Sequence, residues 1–329
     1  MFLLSFPIMK KLPDFSLTPL RKDQAGVVLL MVLFVIVLLV TLVIEFDYQS
    51  RVELKSSLRF VDTEKAISLA RSGLLAGEEI LRNNLSNNYD GLDQFWAQTL
   101  PGYPLGDGSI TLKIQDESGK INLNLLNQLK SGRAGTEAQV RRLFSLLEVD
   151  DRLVDEIILW ISCENDFYYQ GLNPPYTCQK NLPFDTLSEL RLIRGMTDDI
   201  YSKIAPHLTV YPQVLDAHKF INVNTADFIV LQTLFYKKDD TFQFDITPSL
   251  AEEIMKARPI KSDNDLVNIS GFKSIGDRLK LDSAGVKSWY FTITSTGEMK
   301  GTEKKLIETI ARPPGDPKTK TTRYYTRLE

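Results

Sequence analysis

Residues Val27 to Ile44 carry no charge and, Thr41 apart, are all apolar, and beyond Ile44 the apolar residues give way to a spaced pattern. The uncharged run is 18 residues long, about 27 Å as a helix and close to one bilayer hydrocarbon core. Residues 45–84 contain no proline, and Leu54, Leu58 and Val61 fall at helical spacing. Ile67, Ala70, Leu74, Leu81 and Leu85 continue the stripe with a small phase shift. Arg51, Glu53, Lys55, Arg59, Asp62, Glu64 and Lys65 occupy the opposite face. This pattern predicts one helix from Val27 to Leu85, about 90 Å long. Its first half is apolar all round, and its far half is laid on a folded domain.

The period then changes. Residues 87–107, with Pro101, Pro104 and several glycines, read as a loop with local turns. Ile110, Leu112 and Ile114 alternate with Thr111 and Lys113, which predicts a half-buried strand over Ser109–Gln115. Further strand patterns come only at Trp289–Gly297 and Thr302–Ala311, so roughly 165 residues interrupt the sheet. The interruption reads as helical: Thr136–Leu147 and Asp151–Ile161 carry apolar helical spacing, with Thr136 and Asp150 as N-caps. Leu187–Tyr211 predicts two short helices about a Gly195-Met196-Thr197 turn, and Asp265–Leu279 a second such hairpin. Residues 312–329 are rich in Pro, Thr and Lys with no apolar period, which predicts a disordered tail. The fold class is α+β: a long N-terminal helix and a small antiparallel sheet, with a large, mostly helical domain inserted into the sheet.

Charge and composition narrow the chemistry. A net charge of −3 and a pI near 5.7 give no basic field for nucleic acid. The two histidines, His207 and His218, have no partner at metal-ligand spacing, and no nucleophile–base set or phosphate loop can be assembled, so catalysis is not expected. Cys163 and Cys178 are the only cysteines. In an exported chain they read as one disulfide closing a short loop, with two free thiols as the alternative.

Export follows from the leader. Lys10, Lys11, Arg21 and Lys22 precede the apolar run, which holds the N-terminus in the cytoplasm and sends everything after Ile44 across the membrane. Met9, followed by Lys10 and Lys11, offers a second start that shortens the leader to Met9–Gly26. An ordinary secretory signal has a shorter core with a small-residue site behind it. Here Ala25-Gly26 stands in front, so a cut between Gly26 and Val27 leaves the anchor on the mature chain. The arrangement resembles a type IV prepilin-like leader; an uncleaved signal anchor has the same topology. Such leaders carry Glu at the fifth mature position, where this chain has Met31.

Two family resemblances compete over the remainder. Ile221-Asn222-Val223-Asn224-Thr225-Ala226, the helix Ala251-Glu252-Glu253-Ile254-Met255-Lys256-Ala257-Arg258 and the Ile269-Ser270-Gly271 ending resemble the helix-hairpin-helix repeat of exported DNA receptors. An inner-membrane-anchored DNA-binding protein for uptake or pilus biogenesis is therefore the alternative reading. Against it, residues 232–249 replace the short glycine turn that meets phosphate in such repeats.

The ordered series of the Gly-ended leader, Asp116-Glu117-Ser118-Gly119-Lys120-Ile121-Asn122-Leu123-Asn124, Phe184–Leu190 with Gly195-Met196, Ile221–Ala226 and Phe291–Gly297 resembles the GspK family, the minor pseudopilins K of bacterial type II secretion systems. The resemblance covers nearly all of Gly26 to Ile310. It implies a non-enzymatic subunit that initiates and caps the pseudopilus tip, supporting protein export across the outer membrane. Its expected partners are minor pseudopilins of types I, J and H, the major type G, inner-membrane lipid, and a prepilin peptidase that cuts Gly26–Val27 and methylates the new N-terminus. Met31 then gains a meaning: a subunit with no neighbour ahead of it has no amine for a carboxylate to neutralise. Family members also hold calcium in the helical domain. The matching loop here is shorter and less acidic, leaving Glu164 and Asp166, with Asn165 between them, as candidate ligands and the Cys163–Cys178 bridge as the alternative staple. The divisions expected are a leader over 1–26, a transmembrane segment over 27–44, a pilin-like helix and first strand over 45–123, the insert over 124–287, the last strands over 288–311 and the tail over 312–329.

Overall fold

The structure is a computed structural model that describes residues 25–84, 88–127, 130–162, 183–212, 221–239, 241–269, 283–312 and 322–329. Helix α1 spans Ala25–Asn83, ending where the loss of apolar spacing predicts. The chain forms two compact units, residues 1–61 and 62–329. In the first unit every side chain from Gly26 to Val61 is exposed, and none of the apolar residues between Val27 and Ile44 has cover.

The second unit contains a five-stranded antiparallel sheet. Its strands are β1 (Leu100–Leu105), β2 (Gly108–Asp116), β9 (Tyr290–Met299), β10 (Thr302–Ala311) and β11 (Thr322–Leu328), in that spatial order. The pairing of β2 with β9, from Ser109–Glu298 to Asp116–Phe291, is the insertion into the sheet that the split strand patterns predict. The end of α1 lies on the inner face through small residues. Ala66 and Ala70 are fully buried, and a Cβ on Gly73 would come within 2.1 Å of the Ser295 hydroxyl. On the sheet side, a Cβ on Gly297 would sit 2.2 Å from the Ala66 carbonyl oxygen. Around this close approach Leu74, Leu81, Leu112, Ile114, Ile293 and Ile310 form a core, closed by Trp96 edge-on to Phe291 at 5.1 Å between ring centroids.

Three expectations need correction. Residues 100–105 form strand β1 rather than loop; Pro101 and Pro104 are tolerated because β1 is an edge strand and need not donate on its free side. The tail is not disordered throughout, since Thr322–Leu328 pairs with β10 from Ala311–Thr322 to Leu306–Leu328. Thr136 lies inside helix α2 (Lys130–Leu146), which begins six residues earlier than its proposed cap. Asp150 does accept from the Arg152 amide at 3.0 Å, at the head of helix α3 (Arg152–Ser162).

The inserted segment has its own core, including Leu143, Phe144, Ile157, Leu190, Val230 and Ile254, and it repeats itself. Ile121-Asn122-Leu123-Asn124 corresponds to Ile221-Asn222-Val223-Asn224, and Pro183–Leu190 corresponds to Pro259–Leu266. In the first copy Asn122 Oδ1 accepts from the Asn124 amide at 3.0 Å, and Asn124 clamps Phe184 by accepting from its N–H and donating to its C=O. In the second, Asn222 Oδ1 accepts from the Asn224 amide at 2.9 Å, and Asn224 clamps Ile260 in the same two directions, each at 2.8 Å. Each copy also closes a two-residue parallel ladder: β3 (Ile121–Asn122) with β4 (Leu208–Thr209), and β5 (Ile221–Asn222) with β8 (Ala284–Gly285). The insert is therefore helical with short extended clips, and the predicted second hairpin is described only as far as Ile269.

Replacing Gly297 by Ala forces Cβ against backbone that cannot rotate away, and is expected to cost about 1–3 kcal/mol. Thermal unfolding of the detergent-solubilised chain measures it; an unchanged midpoint would mean that helix and sheet do not touch there.

Candidate functional site

Two features stand out as functional candidates: the uncovered apolar length of α1, and the polar hub where the chain leaves and re-enters the sheet. Gly26, Val27 and Met31 all lie on the first turns of α1, and Val27 and Met31 are 61% and 66% exposed. No carboxylate or cation occurs between Gly26 and Ile44. The helix is long and apolar enough to cross a membrane, with a mean hydropathy of 3.6 over its most apolar 18 residues. Further along the first unit Phe46, Leu54, Leu58 and Phe60 are also more than half exposed. A surface of this kind is stable in water only when lipid or other apolar helices cover it.

The hub draws together several distant stretches of the chain. Strand β2 ends at Asp116, the turn Glu117-Ser118-Gly119-Lys120 carries the chain into the insert, and Ser288 brings it back at the head of β9. Asp116 accepts from the Ser118 amide at 2.8 Å and the Ser288 hydroxyl at 2.5 Å, and also from Thr225. Burial is the main influence on its carboxyl, pushing the pKa up to about 6 against the opposing hydrogen bonds. Gly119 passes so close to the second repeat that a Cβ would meet Thr225 Oγ1 at 2.6 Å. Glu117, also buried, joins the first repeat to the sheet: it accepts from Thr209 and Thr292, both at 2.8 Å, and pairs with Lys120 at 3.0 Å.

Beneath Asp116 lies the most buried ion pair of the described residues. Asp90, in the loop after α1, and Arg312, just past β10, have side chains 2% and 3% exposed and meet at 2.5 and 2.9 Å. Asp90 also accepts from the Ser288 amide and from Asn84, both at 2.9 Å. Arg312 donates to the Ser288 carbonyl at 2.7 Å and stacks over Phe291 at 4.9 Å. Asn222 completes the connection by donating to the Asp90 carbonyl and to the Ser288 hydroxyl. The arrangement holds protein to protein; it contains no activated nucleophile. Among the described residues no cluster of three metal-ligating side chains occurs.

Of the residues singled out from the sequence, the Asp116–Asn124 and Ile221–Ala226 runs meet in this hub, and Gly26, Val27 and Met31 remain together on α1. Cys163, Glu164, Asn165, Asp166 and Cys178 lie outside the described residues. Sequence reasoning missed Asp90 and Arg312, which lie 222 positions apart. The doubled Ile-Asn-x-Asn motif was the available signal for the repeat.

The model of the family described as type II secretion system (T2SS), protein K, matches residues 119–213. A type II secretion system protein K of Pseudomonas aeruginosa is 26% identical over 316 residues, covering 89% of this chain and 90% of its own length. That of Aeromonas hydrophila is 26% identical over 327 residues, covering 89% and 95%. The fold is similar, at 21% identity and a TM-score of 0.67, to a chain in the crystal structure of the GspK-GspI-GspJ complex of enterotoxigenic Escherichia coli; the match covers 84% of this chain and 99% of that one. The hub lies partly inside the matched family segment, which begins at Gly119.

Two outcomes follow from the hub. Asp90→Ala strands a buried guanidinium and is expected to cost about 3–5 kcal/mol in urea denaturation; Asp90→Leu with Arg312→Met is expected to cost clearly less than the sum of its single changes. For Asp116, a folded pKa above the ordinary value means that the folded state holds the proton more tightly. Its contribution to stability is therefore present below pH 3.8 and is lost as pH rises to about 6. Denaturation midpoints of Asp116→Asn and the parent across that window check this, since the variant lacks that slope.

Proposed function

We propose that this chain, which belongs to the type II secretion system protein K family, is a non-enzymatic minor pseudopilin that initiates and caps the secretion pseudopilus. The observation that carries the reading is the uncharged first part of α1, which the chain's own fold leaves uncovered while the last part is buried on the sheet. In the inner membrane that surface is solvated by lipid, and on assembly it is covered by the helices of neighbouring subunits. The bulk of the chain then lies in the periplasm. Prepilin peptidase releases residues 1–26 and methylates Val27.

Met31 supports a place at the tip of the filament. A carboxylate at that depth is tolerable only beside a cation, and in a pseudopilus that cation is the N-terminal amine of the subunit ahead. A tip subunit has none ahead of it. Minor pseudopilins of types I and J are the nearest partners, with types H and G below them, in keeping with the complex in which the similar fold was seen. The insert, clipped to the sheet through the hub, is the body presented at the tip. Calcium at Glu164 and Asp166, or a Cys163–Cys178 bridge, is the proposed staple of the intervening loop.

The DNA-binding alternative is disfavoured by one local observation. Where the DNA-binding repeat turns sharply on glycine, this chain has the antiparallel pair β6 (Tyr236–Lys238) and β7 (Thr241–Gln243) in place of a glycine turn that presents amides to phosphate.

Met31→Glu is expected to leave cleavage intact and to be neutral or harmful to secretion; improved assembly would refute the absence of a neighbour ahead. Gly26→Leu is expected to block cleavage but not membrane insertion, read as an unprocessed band in the membrane fraction. Purified chain mixed with types I and J should elute as one complex. Salt-sensitive DNA binding without that complex would replace the secretion reading.

A further inference from the structure

The insert and the sheet meet at one carboxyl group. Asp116 ends β2, Ser118 lies in the turn into the insert, Asn222 and Thr225 belong to the second repeat, and Ser288 stands at the head of β9. Asp116 Oδ2 accepts from the hydroxyls of Thr225 and Ser288 and, weakly at 3.4 Å, from the side-chain amide of Asn222. Its Oδ1 accepts from the Ser118 N–H at 2.8 Å. Beside this group the backbone clips the two parts together: the Asn222 N–H donates to the Ser118 carbonyl and the Val223 N–H to the Gly285 carbonyl, both at 2.9 Å. Among the described residues no cation pairs with Asp116. Arg312 is committed to Asp90, and Lys120, in the same turn, to Glu117. In the second repeat Arg258 donates to the carbonyls of Val223 and Ala226, and Asp227 pairs with His207. Lys287, the residue before Ser288, is not among the groups that act on Asp116. The charged group that does is Asp90, whose sign resists a second negative charge.

Enclosure without a cation favours the neutral acid, and the hub accommodates either form. Ionised, Asp116 takes the donors just described. Protonated, it donates to Thr225 Oγ1, whose own hydrogen turns to the Asn222 carbonyl at 3.4 Å while Ser288 continues to donate. Asp116 as a residue is half-buried, so its proton exchanges with solvent without global unfolding. Moving the second repeat off the sheet removes Thr225 and admits water, which solvates the ionised form far better than the neutral one. We propose that the joint between insert and sheet is a proton-responsive latch, tight while Asp116 holds a proton and loosened when Asp116 is ionised. In the closed joint burial raises the Asp116 pKa from 3.8 to about 6. The closed value is the higher one, so the contribution to closure is present below pH 3.8 and is lost as pH rises to about 6. This inference is independent of the secretion reading.

Hydrogen exchange of the full-length chain in detergent micelles, corrected for the intrinsic pH dependence of amide exchange, reads the joint directly. Relative to the β9 amides, those of Asn222 and Val223 should open at least about tenfold more often at about pH 7 than at about pH 4, because a shift of roughly two pK units is linked to closure. Acid loosens a joint held by ion pairs, so tightening toward pH 4 has a distinctive sign. A flat profile, or an equal change throughout β9, would overturn the latch. Asp116→Asn stays neutral and should abolish the dependence; a retained slope would assign it to another group and refute the proposal. The Asp116 carboxyl carbon, followed by NMR in the parent chain, needs no variant to fold. It should titrate at about pH 6, and titration in the ordinary aspartate range would equally overturn the latch.

Discussion

The buried Asp90–Arg312 pair is the constraint on which the rest of the second unit depends. Insertion of a second core into a sheet requires the chain to cross between layers twice, and each crossing brings backbone amides and carbonyls that no strand ladder can satisfy. Here Asp90 takes up the Ser288 amide and Arg312 the Ser288 carbonyl, so one ion pair satisfies both sides of the returning peptide. Breaking such a pair costs far more than forming it gains, because each charge is left buried alone. Its value lies in specificity: only one register of β9 against β2 places Ser288 between Asp90 and Arg312 and leaves Asp116 facing Thr225.

The same logic explains the repeated asparagines. An asparagine amide offers one acceptor and one donor at about the separation of a peptide's own groups, so Asn124 and Asn224 each act as a one-residue strand against Phe184 and Ile260. A helical domain clipped in this way gains fixed loop geometry without building a sheet. The two copies meet different neighbours. Asn222 is drawn into the hub, donating to the Asp90 carbonyl, whereas Asn122 donates to the carbonyl of Pro212. Asn222 thus ties its copy directly into the hub, whereas Asn122 bonds within the insert and its copy reaches the sheet through Glu117.

Much of this was legible in the sequence, for physical reasons that vary along the chain. Helix α1 and strands β2, β9 and β10 were readable because burial there is one-sided and periodic. Within the family series, Asp116, Glu117, Asn122, Asn124, Asn222 and Asn224 make buried polar contacts, so their unusual clustering of polar with apolar residues stood out in the sequence. What escaped lacked periodic burial. Strand β1 looked like a loop because its prolines are harmless at an edge. Strand β11 looked disordered because residues 312–329 are rich in Pro, Thr and Lys and show no apolar period, although the Tyr-Tyr-Thr centre favours extended chain. The start of α2 escaped because Gly132 and Gly135 masked it, and Gly135 is there to admit the Phe235 ring, which a Cβ would meet at 2.7 Å. Long-range ion pairs carry no local signature at all.

Helix α1 shows how one element can serve two kinds of packing without confusing them. Where it meets its own sheet it uses Ala66, Ala70, Gly73 and Gly77, small residues that bring backbone close to backbone and leave no room for a foreign side chain. Where it is uncovered it uses Val, Leu, Ile, Met and Phe, large side chains that gain from lipid and from other helices alike. Burying a charge in lipid without a partner is costly, and α1 carries no carboxylate or cation between Gly26 and Ile44, so the stretch that includes Met31 meets lipid or another apolar helix with nothing to neutralise.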